Sequence, residues 1–329
     1  MNRNLITDVP GLKVGNAADA TLASGVTAIL FDEPAVASAD VRGGAPGTRD
    51  IDLLQPDETV ERIDAVVLSG GSAFGLDAPT GVQAWLRQQG RGFAIGPVVV
   101  PIVPGAIVFD LLNGGNKDWG RFPPFRDLGY AAAANAGHDF ALGNTGAGLG
   151  ATTVNLKGGL GSASATMRDG ATVGAIVIVN AVGSVTIGDG PHFWAAPFER
   201  DGEFGGRGLP AAMPPNALEI RLKGGARENT TIALVATDAT LTKAQAKRLA
   251  TVAHDGLARA IYPVHTPLDG DVVFAASTCR HAAPDLMAFA ELGALAANVL
   301  SRAVARAVYE ARALPFPGAL PDWQGKFGK

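Results

Sequence analysis

Cysteine is almost missing from this chain of 329 residues: Cys279 stands alone. A single thiol excludes a disulfide framework and a cysteine-built zinc site. His138, His192, His254, His265 and His281 show no HExxH or other zinc spacing, so no metal and no other cofactor is expected. Charged residues are sparse, at 18%, and the net charge is only −4. That balance leaves no basic footprint for nucleic acid and no basic patch for a membrane surface. Long apolar runs are lacking too. The longest, AIGPVVVPIVPGAIVF over 94–109, is too short and too broken by proline to cross a bilayer as a helix. The opening MNRNLITDVPGLKVG has no apolar signal core. These absences set the expectation of a cytoplasmic protein that engages neither nucleic acid nor membrane.

What the chain does have is glycine, 43 residues of it, with 47% hydrophobic residues to fill a large core. The glycines form short clusters, VRGGAPGT, LSGGSAFGLDA, GNTGAGLGATT and KGGLGSAS, each beside an apolar or alternating run. Glycine there allows tight turns and close backbone approach, so many strand ends are expected to converge. Alternating or β-branched runs predict strands over 25–32, 64–70, 172–180, 183–189, 217–223, 230–237 and 271–278. Helices are predicted over 79–90, 241–262 and 285–313, the last rich in alanine and suited to close packing. Residues 190–215 read as a long loop. No linker or internal repeat divides the chain, which is expected to form one domain over 1–329, with layered sheets covered by helices.

Three places invite a chemical reading, each beside a plainer one. Thr266 lies in HTPLDGDVVFAAST, after a helix and before a strand. A threonine hydroxyl is a poor nucleophile unless it becomes N-terminal, where its own α-amine, with a pKa near 8, serves as base. The plainer reading is a turn-capping threonine. Lys157, in NLKGGLGSASA, sits among glycines where a lysine can hold a charge in a cleft, or is a solvated loop lysine. Asn180 ends the apolar run VIVN, where its amide can face a developing oxyanion or simply form a turn. Nucleotide and serine-hydrolase signatures fail. GAGLGA over 146–151 has no acidic residue about 20 positions on in a βαβ unit, and GGSAFG is not G-x-S-x-G.

Taken together, ITDVPGLKVGN, DVRGGAPGTRDIDLL, VVLSGGSAFGLDA, VPIVPGAIVFDL, KGGLGSASA, ENTTIALVATDA and HDGLARAIYPVHTPLDGDVVFAAST resemble the P1 peptidase family. This is the group of L-aminopeptidase/D-esterase, β-peptidyl aminopeptidases and 6-aminohexanoate-oligomer (nylon-oligomer) hydrolases. The chain is most similar to the threonine-nucleophile branch. The resemblance implies an α/β fold, a four-layer α/β/β/α sandwich like that of N-terminal-nucleophile hydrolases but with different connectivity. It implies self-cleavage between His265 and Thr266 into chains 1–265 and 266–329. It makes Thr266 the nucleophile, Lys157 its charged partner and Asn180 the polar group at the reacting carbonyl. Phe74 and Phe109 correspond to tyrosines of the nylon-oligomer hydrolases, which implies a more apolar substrate pocket. His265 stands where some relatives have asparagine. Some relatives carry an acidic or serine pair downstream of the nucleophile, and in CRHAAPDLMAFAELGALAANV Asp285 and Glu291 are the acids available.

The expected activity is therefore hydrolysis of a small-molecule amide or peptide, by a homo-oligomer, a tetramer of cleaved heterodimers. Two alternatives stand beside it. One is an acyltransferase of the ornithine acetyltransferase type, which must keep water from its acyl-enzyme. The other is a non-catalytic, uncleaved binding protein.

Overall fold

In the computed structural model, residues 3–223 and 229–328 are described; Glu228, which opens ENTTIALVATDA, lies outside them. The chain opens with strands β1 (Leu12–Asp19) and β2 (Ser24–Val41). The short β3 (Thr48–Arg49), β4 (Arg62–Ser69) and helix α1 (Ala78–Gln88) follow. Next come a hairpin of β5 (Phe93–Ile95) and β6 (Val98–Val100), then β7 (Gly105–Ile107) and α2 (Phe125–Ala134). The second part holds β8 (Gly159–Thr166), β9 (Thr172–Asn180), β10 (Thr230–Ala239), α3 (Lys243–Ala260), β11 (Val272–His281), α4 (Leu286–Tyr309) and α5 (Trp323–Phe327).

Nine strands form one hydrogen-bonded sheet in the order β3-β7-β4-β2-β11-β10-β9-β8, with β1 on β2. The 18-residue β2 joins its two halves. Its first part pairs with β1 and β4, its register shifts between Leu30 and Ala35, and its second part pairs with β11. The halves face each other across one apolar layer, where Leu12, Ile29, Phe31 and Leu68 meet Ile176, Ile178, Leu234 and Phe274. Outside one half, Val26, Ala28 and Val67 pack on Val82 and Leu86 of α1 and on Ala132 of α2. Outside the other, Val177, Val179, Ala233 and Val235 pack on Leu249 and Leu257 of α3 and Leu300 and Val304 of α4. The four layers are thus α/β/β/α, as the resemblance implied, with both β layers drawn from one folded-over sheet. Among the described residues one helix, α4, is long and apolar enough to cross a membrane. Here its residues from Leu292 to Val308 supply a buried face in the core, while Leu286 and Met287 are exposed.

Local chemistry explains most elements. Thr242 accepts from the Gln245 amide while the Gln245 side chain accepts from the Thr242 amide, a capping box that starts α3. Leu249, Ala253 and Leu257 then recur on its buried face. Two expected strands are absent. In 183–189 the Ser184 hydroxyl bonds the Thr186 carbonyl and accepts from its amide. Such local bonds compete with a ladder, and the segment makes only the isolated bridges Ser184–Tyr262 and Thr186–Phe193. In 217–223, Leu218, Ile220 and Leu222 are all exposed, so alternation there has no core face to serve.

One topological fact positions the site. β10, α3 and β11 make a parallel crossover, with Ile232 beside Val272. A crossover must return the chain to the end of the sheet at which β10 began. The segment before β11, which holds Thr266, therefore lands beside the start of β10. Antiparallel pairing puts the end of β9 there, since Thr230 lies opposite Asn180. It also puts the start of β8 there, since Gly159 lies opposite Val179. The segment just before β8 carries Lys157.

Candidate active site

Lys157 is 1% exposed. Its Nζ donates to the carbonyls of Ala151 (2.7 Å), Gly158 (2.7 Å) and Gly148 (3.0 Å). Burial pushes its pKa down to about 7, and the Lys223 charge adds to this, while Asp110 opposes it. The three carbonyls match the three N–H groups of the ammonium form, so they too favour the charge. Asp110, itself buried, accepts from Ser24 Oγ (2.6 Å) and the Gly71 amide (2.8 Å). Burial raises its pKa against the pull of those bonds and of Lys117 and Lys157. Glycine is required around it: a Cβ on Gly150 would lie 2.4 Å from Asp110 Oδ2, and Gly71 has φ +83°.

Asn180 closes the same region. Its Oδ1 accepts from the Thr152 amide (3.0 Å) and from Lys223 Nζ (2.9 Å), and its Nδ2 donates to the Phe109 carbonyl (2.9 Å). A cavity of about 210 Å³ opens here between Asn113, Thr152 and Lys157 on one side and Leu314, Pro317 and Leu320 on the other. A smaller one, about 70 Å³, reaches Phe109, Asp110 and Lys223 and shares the Thr152 and Asn113 wall. The C-terminal segment is tied to this place, because the Lys157 amide donates to the Pro321 carbonyl (2.8 Å).

Thr266 sits in a second, adjoining cluster. Asp269 Oδ2 accepts from both the Thr266 amide (2.9 Å) and Thr266 Oγ1 (2.8 Å). The other oxygen of Asp269 accepts from the Val182 amide (3.2 Å), two residues beyond Asn180. Thr266 Oγ1 also accepts from the Leu268 amide (3.2 Å). Before it, His265 has φ +55°. Asp271 holds it there, accepting from the His265 amide (3.2 Å) and Nδ1 (2.8 Å), while its second oxygen accepts from Thr231 (2.7 Å). Burial raises the pKa of Asp269, and the Asp271 charge raises it further. The His265 ring meets His254 edge-on at 4.8 Å between centroids. Burial pushes His254 down to about 4.

The fold thus puts Lys157 in the wall of one cavity, holds Asn180 behind Thr152 of that wall, and links Thr266 to the strand end of Asn180 through Asp269. The Thr266 hydroxyl is engaged by Asp269 and Leu268, while the N–H groups of Lys157 are taken by carbonyls. Phe109 borders the smaller cavity. Phe74 is half-exposed and packs edge-on against Trp119 at 5.2 Å, away from the lining of either cavity. Asp285 caps α4 by accepting from the Ala288 amide, and Glu291 lies in an exposed ion pair with Arg168. The acids that adjoin Thr266 are Asp269 and Asp271, which the sequence displays on either side of Gly270. Asp110 follows the apolar run 94–109, and no local signal marks it. Among the described residues no group of three or more His, Cys, Asp or Glu is placed to hold a metal ion.

The chain is similar to known proteins over nearly its whole length. An uncharacterized aminopeptidase of Mycobacterium tuberculosis is 44% identical over 98% of this chain and 98% of its own. A 6-aminohexanoate-oligomer endohydrolase of a Kocuria species is 27% identical over 82% of this chain and 74% of its own. Among solved structures, the L-aminopeptidase D-Ala-esterase/amidase of Ochrobactrum anthropi superposes with a TM-score of 0.73 at 22% identity, covering 99% of this chain and 94% of that one. A Burkholderia β-aminopeptidase superposes at 0.72 with 22% identity, covering 98% and 91%. The first of these is described as a variant of the Ntn-hydrolase fold, and the layers seen here share that fold. The profile of peptidase family S58 matches residues 4–318, from before β1 to beyond α4, so this protein belongs to peptidase family S58.

Proposed function

We propose that this family member is a self-processing amide hydrolase whose nucleophile is Thr266, made N-terminal by cleavage of the His265–Thr266 bond. The carrying observation is the setting of that bond. Thr266 is half-buried, follows a positive-φ residue and shares one buried carboxylate between its amide and its hydroxyl. It stands at the strand end occupied by Asn180 and, one strand away, Lys157. Cleavage leaves chains 1–265 and 266–329. In the mature enzyme Thr266 Oγ attacks a substrate amide carbon, the amine leaves, and water releases the acyl group. Lys157 places positive charge beside the developing alkoxide and oxyanion, and Asn180 with the backbone amides of the glycine turns completes the polar wall.

The relatives' names bear on the substrate. Aminopeptidase and 6-aminohexanoate-oligomer endohydrolase both name the hydrolysis of amide bonds between amino-acid units, and we propose a peptide or an ω-amino-acid oligomer. Phe109 lends that site an apolar border. A tetramer of cleaved heterodimers is the proposed assembly.

Intact-mass analysis and N-terminal sequencing of the wild type beside Thr266→Ala test this. The expected wild-type fragment begins TPLDGD, Thr266→Ala stays whole, and only the wild type hydrolyses a panel of amide substrates. A Thr266→Ala protein with full hydrolysis would refute the reading. Acyl-amine products on adding an amine acceptor would shift it to acyl transfer.

A further inference from the structure

This inference rests on the proposed function, which puts Lys157 beside the reacting amide, and it concerns what the adjoining cavity selects. That cavity, of about 210 Å³, is lined from two distant parts of the chain. One is Leu112, Asn113 and Gly114, fixed where Asn113 Nδ2 donates to the carbonyls of Ala23 (3.0 Å) and Gly150 (2.8 Å). The other is the loop 313–322, which supplies Leu314 from its first leg and Leu320 from its second. Asp322 closes the loop: its Oδ2 accepts from the Ala313 amide (2.9 Å), and its Oδ1 from the Gly325 amide (2.7 Å). Just before it, Asn144 and Arg312 exchange two bonds, at 2.8 and 3.0 Å. The Pro321 carbonyl is bound by the Lys157 amide, and Pro315, Pro317 and Pro321 stiffen the span between the anchors. Phe316 reaches across to Gly114, where an added Cβ would lie 2.9 Å from its ring. The loop is therefore a held wall and not a loose tail.

The lining is one-sided in its chemistry. Leu112, Leu314 and Leu320 offer aliphatic surface. The one ionisable side chain there, Lys157, is 1% exposed, and its N–H groups are taken by three carbonyls. Among the described residues no carboxylate lines the cavity. A charged group entering it would lose water and find no counter-ion. We propose that the loop 313–322 is the specificity element of this hydrolase, in which Leu314 and Leu320, with Leu112, select an uncharged apolar side chain or methylene run of the substrate. The family profile ends at Gly318, partway through the loop, so Leu320 lies beyond the stretch that the profile matches.

The test measures kcat/KM for two series of amides: aminoacyl p-nitroanilides varied in the acyl residue, and alanyl dipeptides varied in the second residue. Each series carries glycine, alanine, leucine, lysine and glutamate. The wild type is expected to favour leucine over glycine, lysine and glutamate in one series. Leu320→Ala and Leu314→Ala are each expected to cut that leucine-to-glycine ratio about 10-fold, the scale of a lost methylene contact in an apolar pocket. Leu320→Glu, which places a carboxylate at the wall, is expected to raise the lysine-to-leucine ratio by about 10-fold or more. A residue that merely supports the fold lowers every substrate alike and moves neither ratio. Far-UV circular dichroism confirms folding, and Leu314→Glu carries the charge test if Leu320→Glu does not fold. Ratios unchanged in every folded variant overturn the role of the loop and leave the hydrolase reading standing. A wild type with no preference for leucine in either series does the same. A wild type that cleaves nothing in either series overturns the hydrolase reading, and this inference with it.

Discussion

Lys157 offers a quantitative test that needs no substrate. Its side chain is buried, and its pKa falls from 10.5 to about 7. Between those values the unfolded chain holds nearly one proton more than the folded one, so stability rises with pH. The sign is that of any depressed group. The contribution is fully present above about 10.5 and is lost as pH falls through about 7. The slope is at most about 1.4 kcal/mol per pH unit, so from pH 7 to 9 roughly 2–3 kcal/mol accrues. Lys157→Met removes this slope. Both proteins should carry Thr266→Ala, so that the self-cleavage proposed at that residue divides neither. Urea unfolding at pH 7, 8 and 9 reads that difference. With an m-value of about 3 kcal/mol per M, the gap between the two midpoints changes by nearly 1 M over the range. A constant gap would refute the reasoning. It would mean that the carbonyls of Gly148, Ala151 and Gly158, with Asp110, hold Lys157 charged as firmly as water does.

Much of this arrangement was legible in the sequence, and where it was not the reasons are particular. The strand over 172–180 and the helices containing Leu249 and Leu300 were readable because one period dominates each segment. The strand GLGSASAT has only one large apolar residue, so its sequence carries no strand signal. Its smallness is a packing demand: a Cβ on Gly161 would lie 1.9 Å from the Ala303 carbonyl of α4. Conversely 217–223 has strand composition without a partner, and pairing, not propensity, makes a strand. At the site, Thr266, Lys157 and Asn180 each sit at the edge of a readable element, which let local chemistry and family resemblance single them out. Asp110 could not be found that way, because Ser24, which bonds it, is 86 residues distant. Asp269 and Asp271 were visible, but only the turn shows that the first bonds Thr266 and the second His265. Downstream acids drew attention instead, and Asp285 turns out to be spent on a helix cap.

Three further outcomes separate site from scaffold. Asp285→Ala is expected to cost about 1 kcal/mol of stability through the lost N-cap of α4 and to leave hydrolysis unchanged. Glu291→Gln, at a 3.8 Å exposed ion pair, should change neither by a measurable amount; a large loss of turnover in either variant would place an acid of that segment in the chemistry. Gly71→Ala should do the opposite of both. Its φ of +83° disfavours a side chain by about 1–2 kcal/mol, and the new Cβ would meet the Phe125 ring at 2.1 Å, so either that buried ring or the Gly71 backbone must shift. That backbone carries the amide that holds Asp110 at 2.8 Å. Overpacking the ring, or drawing a donor away from a buried carboxylate, adds to the conformational cost, and the loss should reach about 3 kcal/mol or more. Since the Asp110 charge acts on Lys157, turnover should fall in Gly71→Ala even at temperatures where the variant is fully folded. A variant that is destabilised yet turns over at the wild-type rate would show that Asp110 supports the fold and not the chemistry.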